Sequence, residues 1–173
     1  VVRRIAEREA MNDASQLTDL LARTVIMPAL SDRLLDRDPA AIQQVDAVVR
    51  SRVLTGMFVR VKIWSPEGEI LYADAADLIG EQYVLGSEER EVLSKPATVA
   101  EVSDLSRPEN RLERGQGRLV EVYRPVWTPS GRPLLYETYT TYASVTARTG
   151  NLSRSILLHV GFNALSVVFL FTN

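Results

Sequence analysis

Cysteine is absent from the chain, and histidine occurs once, at position 159. Without thiols there is no disulfide, no thiolate metal centre and no cysteine nucleophile, and a lone imidazole leaves most metal and triad sites without their usual ligand or base. No cofactor is expected, and the missing cysteine is consistent with an extracytoplasmic bacterial domain. An excess of either charge is missing too. The 20 Lys and Arg against 22 Asp and Glu give a net charge of −2, and the aromatics are not interleaved with basic residues as in a platform for stacked bases, so nucleic acid is not an expected partner. Nine Gly and eight Pro are too few for a disordered chain, and 46% hydrophobic content over 173 residues suffices for one ordinary core. Long apolar runs are scarce: one stands out, from Ile156 to Phe171.

What is present is hairpin chemistry, most clearly from Met57 to Asp74, MFVRVKIWSPEGEILYAD. Ser65-Pro66-Glu67-Gly68 puts Pro where a type I turn wants φ near −65° and Gly where the chain rejoins the ladder through a left-handed residue. If Gly68 is the bulge residue, Ser65 pairs with Glu69. Counting outward then places Phe58, Arg60, Lys62, Trp64, Ile70, Tyr72 and Asp74 on one face and Val59, Val61, Ile63, Leu71 and Ala73 on the other. The aliphatic face asks to be covered, whereas the face with two cations, an acid and three aromatics suits a polar pocket. Thr128-Pro129-Ser130-Gly131 repeats the turn between Arg118–Trp127 and Pro133–Tyr142. The same register puts Val120, Val122, Val126, Leu134 and Thr138 on one side and Glu121, Tyr123, Glu137 and Tyr139 on the other.

Around the hairpins the pattern is helical or irregular. A narrow stripe of Ala6, Ala10, Leu17, Leu21 and Thr24 predicts a long first helix to about Val25, whose small residues Ala6, Ala10 and Ala14 suit close pairing with a second copy. Asp38-Pro39 opens a second helix as N-cap and first residue, with Ile42, Val45, Val48, Val49 and Val53 on one face and Gly56 ending it. AADLIGEQYVLG reads as a loop able to cover the sheet, Ser87 as the N-cap of a short helix with Glu88 and Glu89 in its first turn, and Thr98 to Val102 as a short strand. Leu105 to Gly117 reads first as a solvated connection, with folding over a ligand as the alternative. Ile156 to Phe171 contains no charge, follows Arg148 and Arg154, and is shorter than the about 20 residues of a full span; it is expected to be a truncated transmembrane helix. Asn151-Leu152-Ser153 matches a glycosylation acceptor, a pattern common by chance. The expected fold is α+β, a single antiparallel sheet of about five strands: helices in 1–55, the sheet core in 56–143 and a helix into the membrane in 144–173.

The segments VRVKIWSPEGEILYAD, LIGEQYVL, LVEVYRPVWTPSGRPL and YETYTTY together resemble the extracytoplasmic PAS-like or Cache sensor domain of bacterial two-component sensor histidine kinases, over about Arg4 to Arg154. The resemblance implies a long membrane-proximal helix leading into a five-stranded sheet, and a last strand feeding the second membrane span. It also implies a homodimer anchored by its flanking helices, and a kinase core beyond the second span rather than in this chain. On that reading the domain binds a small polar molecule, with Arg60, Lys62, Tyr72, Tyr123, Glu137 and Tyr139 as candidate ligand-binding residues: the cations for a carboxylate, Glu137 for an amine, the tyrosines as walls with hydroxyl handles. Rival readings are the sensor domain of another receptor class, such as a chemoreceptor or cyclase, a ligand-free dimerisation module, and glycosidase-like chemistry by Glu121 and Glu137. A ligand-free module would show Arg60, Lys62, Glu121 and Glu137 satisfied by one another with no cavity.

Overall fold

The computed structural model describes residues 2–143. The apolar run from Ile156 to Phe171, with Arg148, Arg154, His159 and Asn151-Leu152-Ser153, lies outside them. Among the described residues no helix is long and apolar enough to cross a membrane.

Five antiparallel strands form one sheet: β1 (Phe58–Trp64), β2 (Ile70–Ala73), β3 (Val99–Val102), β4 (Leu119–Trp127) and β5 (Pro133–Thr141), in the spatial order β2-β1-β5-β4-β3. The fold is α+β with a single five-stranded antiparallel sheet, as the sequence led us to expect. Both turn registers hold: the Ser65 amide donates to the Glu69 carbonyl at 2.8 Å, and the Thr128 amide to the Arg132 carbonyl at 3.0 Å.

Helix α1 (Val2–Leu21) runs on through a π-turn at Ala22–Ile26 and a single turn at Met27–Ala29. Pro28 follows directly on the π-turn, close to the end of this helical run. Helix α2 (Pro39–Val48) starts where Asp38 Oδ1 accepts from the amides of Ala40 and Ala41 at 3.0 and 3.1 Å. The short α3 (Ser87–Ser94) lies over the opposite side of the sheet, and Gly86 rather than Ser87 takes its cap position.

Beneath the N-terminal helices, Val61, Ile63, Val126 and Leu134 pack with Ile26, Leu34, Val45, Val49 and Val53, while Val120 and Val122 pack on Ala14. Each such aliphatic side chain contributes about 1.5–3 kcal/mol by leaving water. The Thr18 and Thr138 hydroxyls meet at 2.9 Å inside this layer, tying α1 to β5.

Several expectations change. Ala10 and Ala14 are fully buried within the single chain. Small residues permit a close approach to a sheet as readily as to a helix, and here the sheet takes them. A bulge at Val59, between the Phe58–Thr140 and Arg60–Tyr139 pairs, sends Phe58 into the helix-side core. A second irregularity pairs Trp64 with Ile70 but Ile63 with Tyr72, which turns Tyr72 to the helix side. Leu105 to Gly117 is more than a solvated connection, because Asn110 and Glu113 from it are buried against the sheet.

Candidate functional site

The strand register assembles two polar rows on the face turned away from the N-terminal helices. Arg60, Tyr139, Glu121 and Glu101 stand side by side across β1, β5, β4 and β3; Lys62, Glu137, Tyr123 and Val99 form the next row. Five of the six residues singled out from the sequence therefore share one face. Tyr72 does not: its hydroxyl donates to Asp46 Oδ1 on α2 at 3.1 Å. The bulge after the turn separates it from the others, since one inserted residue reverses the direction of every side chain beyond it.

The segment after β3 closes over these rows. Lys62, fully buried, donates from Nζ to the Glu109 carbonyl at 2.9 Å, to Asn110 Oδ1 at 3.0 Å and to Tyr139 Oη at 3.1 Å, which uses all three of its hydrogens. Arg60 donates from Nε to Glu113 Oε1 at 2.5 Å and from Nη1 to Asp74 Oδ2 at 2.9 Å. Glu137 accepts from Trp64 Nε1 at 2.8 Å, and its other oxygen lies 2.7 Å from Tyr139 Oη. Asn110 Oδ1 lies 2.6 Å from that same hydroxyl. Asn110, Glu113 and the Glu109 carbonyl were invisible to sequence reasoning, because a stretch rich in Arg, Glu, Pro and Gly carries no period that marks a buried face.

Acids outnumber the donors that reach them. Neither oxygen of buried Glu121 has a hydrogen-bond partner, nor has one oxygen each of Glu89, Glu101 and Glu113. Ser103, Tyr123 and Glu101 stand around the Glu121 carboxyl without reaching hydrogen-bond geometry with it. Burial pushes Glu121 up to about 7, with Ser103 and Tyr123 opposing and Glu101 adding to the rise. Burial likewise pushes Glu137 up to about 7, against the attraction of Lys62 and with the repulsion of Glu121. The Tyr139 hydroxyl is raised well above its ordinary value by burial first and then by Glu137.

Between the sheet and the strip 81–86 lies a cavity of about 10 Å³, bordered by Trp64, Tyr83, Leu85, Glu89, Tyr123 and Glu137. That is room for about one water. Outside the strip a surface groove of about 320 Å³ shares Tyr83, Val84 and Leu85 with it. Main-chain bonds from Ile70 N to Glu81 O and from Tyr83 N to Gly68 O, each 2.9 Å, hold the strip to the β1–β2 hairpin. Arg111 clasps Glu81 through both terminal guanidinium nitrogens, Nη1 and Nη2, at 2.6 and 2.9 Å. The strip is thus a wall between cavity and solvent, latched by a side chain from the covering segment.

No family model matches the chain. No curated protein matches it either. Among solved structures, the chain is similar to the sensor domain of DcuS from E. coli, with 9% sequence identity, a TM-score of 0.45, and coverage of 84% of this chain and 98% of that one.

Proposed function

We propose that the chain is the extracytoplasmic sensing domain of a membrane-bound sensor histidine kinase, receiving its input on the polar face of the sheet and passing it to the membrane through its terminal helices. The observation that carries this reading is the buried array of Lys62, Glu121 and Glu137 on the sheet with Glu113 brought to it by the covering segment. Buried ionisable groups cost several kcal/mol each to desolvate, so a fold selected for stability alone gains little by keeping four of them together. Arg60, Lys62, Tyr123, Glu137 and Tyr139 form the input surface, and the 81–86 strip is its door. The ligand is a small polar molecule, and the working unit is a homodimer anchored by the flanking helices.

A ligand-free structural module is the second reading, favoured by one observation: Arg60 and Lys62 already spend their hydrogen bonds on groups of the chain itself. A thermal-shift screen with amino acids, organic acids and amines separates the two. A saturable rise in Tm for one class, lost in Tyr139→Ala, supports the sensor; no shift with any class, together with normal signalling by a full-length Glu137→Ala variant, supports the structural module.

A further inference from the structure

The hydrogen count around Tyr139 does not balance with every acid ionised. Its hydroxyl has one hydrogen, yet it faces Asn110 Oδ1 at 2.6 Å and Glu137 Oε1 at 2.7 Å while accepting from Lys62 at 3.1 Å. Turning the Asn110 amide around is no remedy. Its oxygen accepts from Lys62 at 3.0 Å and its nitrogen donates to the Asp104 carbonyl at 3.1 Å, so a reversed amide would set donor against donor and acceptor against acceptor. A proton on Glu137 Oε1 resolves the conflict: Glu137 donates to Tyr139, Tyr139 donates to Asn110, and the second Glu137 oxygen still accepts from Trp64.

A second site in the next row shows the same deficit. Glu121 on β4 stands directly across from Glu101 on β3, Glu121 is fully buried, and neither of its oxygens is held in a well-formed hydrogen bond, although Ser103 and Tyr123 stand near it. Two carboxylates in such a position repel when both are charged, and one proton between them removes the repulsion. We propose that Glu137 and the Glu101–Glu121 pair form a proton-binding site, so that this face of the sheet reads the proton alongside the small polar ligand and the domain responds to acidification of its surroundings. This rests on the reading above that the polar face is the input.

The charges around the site support proton uptake near neutrality. From β1, Lys62 and Arg60 favour the ionised acids, but Arg60 is committed to Asp74 and Glu113 and Lys62 to three neutral acceptors. From α3, Glu89 brings another acid, which Arg107 of the covering segment neutralises at 2.7 Å. Tyr123 and Tyr139 stay neutral, their hydroxyls being raised by burial. The two carboxyls are themselves pushed up by burial to about 7.

The test is a titration of the chain labelled with ¹³C at the glutamate carboxyls, followed by NMR from acid to alkaline pH. Two resonances are expected to bind protons at least tenfold more tightly than an ordinary glutamate, one disappearing in Glu137→Gln and the other in Glu121→Gln. The Glu137→Gln amide supplies a donor where we place the proton, so this variant keeps the network and the fold. Glu101→Gln is expected to shift the Glu121 midpoint downward. If every glutamate in the unsubstituted chain titrates in the ordinary range, or if both tight resonances persist in the two variants, the proton site is overturned whatever the ligand screen finds. If the tight resonances are found and the full-length protein signals identically across that pH range, the site stands as a proton store but its role as the input is overturned, and the screen then decides the sensor reading by itself.

Discussion

Lys62 and Glu137 face one another in register on β1 and β5, yet each spends its hydrogen bonds elsewhere: the ammonium on Glu109, Asn110 and Tyr139, the carboxyl on Trp64 and Tyr139. The lysine is therefore a pin between the sheet and the covering segment rather than half of a simple ion pair. Lys62→Met keeps the volume but strands the Glu109 carbonyl, takes one donor each from Asn110 and Tyr139, which keep their bond to one another, and leaves Glu113 with Arg60 alone. A stranded acceptor costs about 1–3 kcal/mol, and the weakened contacts to Asn110, Tyr139 and Glu113 add to it. We expect a lower urea midpoint at unchanged m-value, by an amount corresponding to roughly 3 kcal/mol, with the residues of 105–117 losing amide protection first.

Stability should fall as pH rises through neutrality. Glu121 and Glu137 are held at about 7 against an ordinary 4.5, so between those values the folded chain binds more protons than the unfolded one and each proton released on raising the pH weakens the fold. Full ionisation of one such carboxyl costs about 3 kcal/mol, and the coupling between them makes twice that an upper bound. Acids with lowered values, Asp32 and Asp104 through neighbouring hydroxyls and Asp38 through the Ala41 amide, act oppositely at lower pH. The optimum is expected near pH 5. Urea unfolding at pH 5.5 and 8 checks it: Glu137→Gln and Glu121→Gln should each flatten the slope, and a chain more stable at pH 8 would contradict the assignment.

The hairpins were legible because Ser65-Pro66-Glu67-Gly68 and Thr128-Pro129-Ser130-Gly131 each dictate one turn, and a turn dictates the register of the strands it joins. From that register followed the shared face of Arg60, Lys62, Glu137 and Tyr139. Tyr72 was misplaced because a bulge costs one residue and leaves no mark in composition: Leu71 is as good a ladder residue as any, and only pairing against β1 shows it to be extra. Asn110 and Glu113 were missed for a different reason. Polar residues in an aperiodic segment are usually solvated, and what buries these two is the demand of Lys62 and Arg60 for partners, which is a tertiary fact.

Gly68 is where the hairpin and the covering strip meet most tightly. Its φ is +89°, and a Cβ there would lie 2.0 Å from the Tyr83 carbonyl oxygen, a backbone atom that cannot swing aside. Gly68→Ala adds left-handed strain of about 1 kcal/mol or more to that collision. The strip should move off the hairpin. Faster hydrogen exchange at Tyr83, whose amide bonds Gly68 in the unsubstituted chain, is the expected sign, together with a lower Tm.

The last relationship links the two ends of the described chain. Arg118, just before β4, bonds to Glu7 in the early turns of α1 and stands 4.8 Å over the ring of Tyr142, just past β5, so the start of α1 and the exit of β5 lie at the same end of the domain. The side chains of Arg118 and Glu7 are 44% and 25% exposed, and a pair so placed is worth less than about 1 kcal/mol. Arg118→Ala should therefore leave Tm almost unchanged. Its effect is expected in geometry: without the arginine nothing polar ties Glu7 to the β5 exit through this contact, and spin labels at Arg8 and Ala143 in the full-length protein should report a broader and longer distance distribution. On the proposed sensor reading, transmission needs the two ends to move as a set, because an input can shift the balance of two arrangements only by its differential affinity for them, typically about 1–3 kcal/mol. Loss of signalling with retained Tm and retained proton titration is the result that places Arg118 in the coupling path; an unchanged distance distribution with normal signalling would remove it.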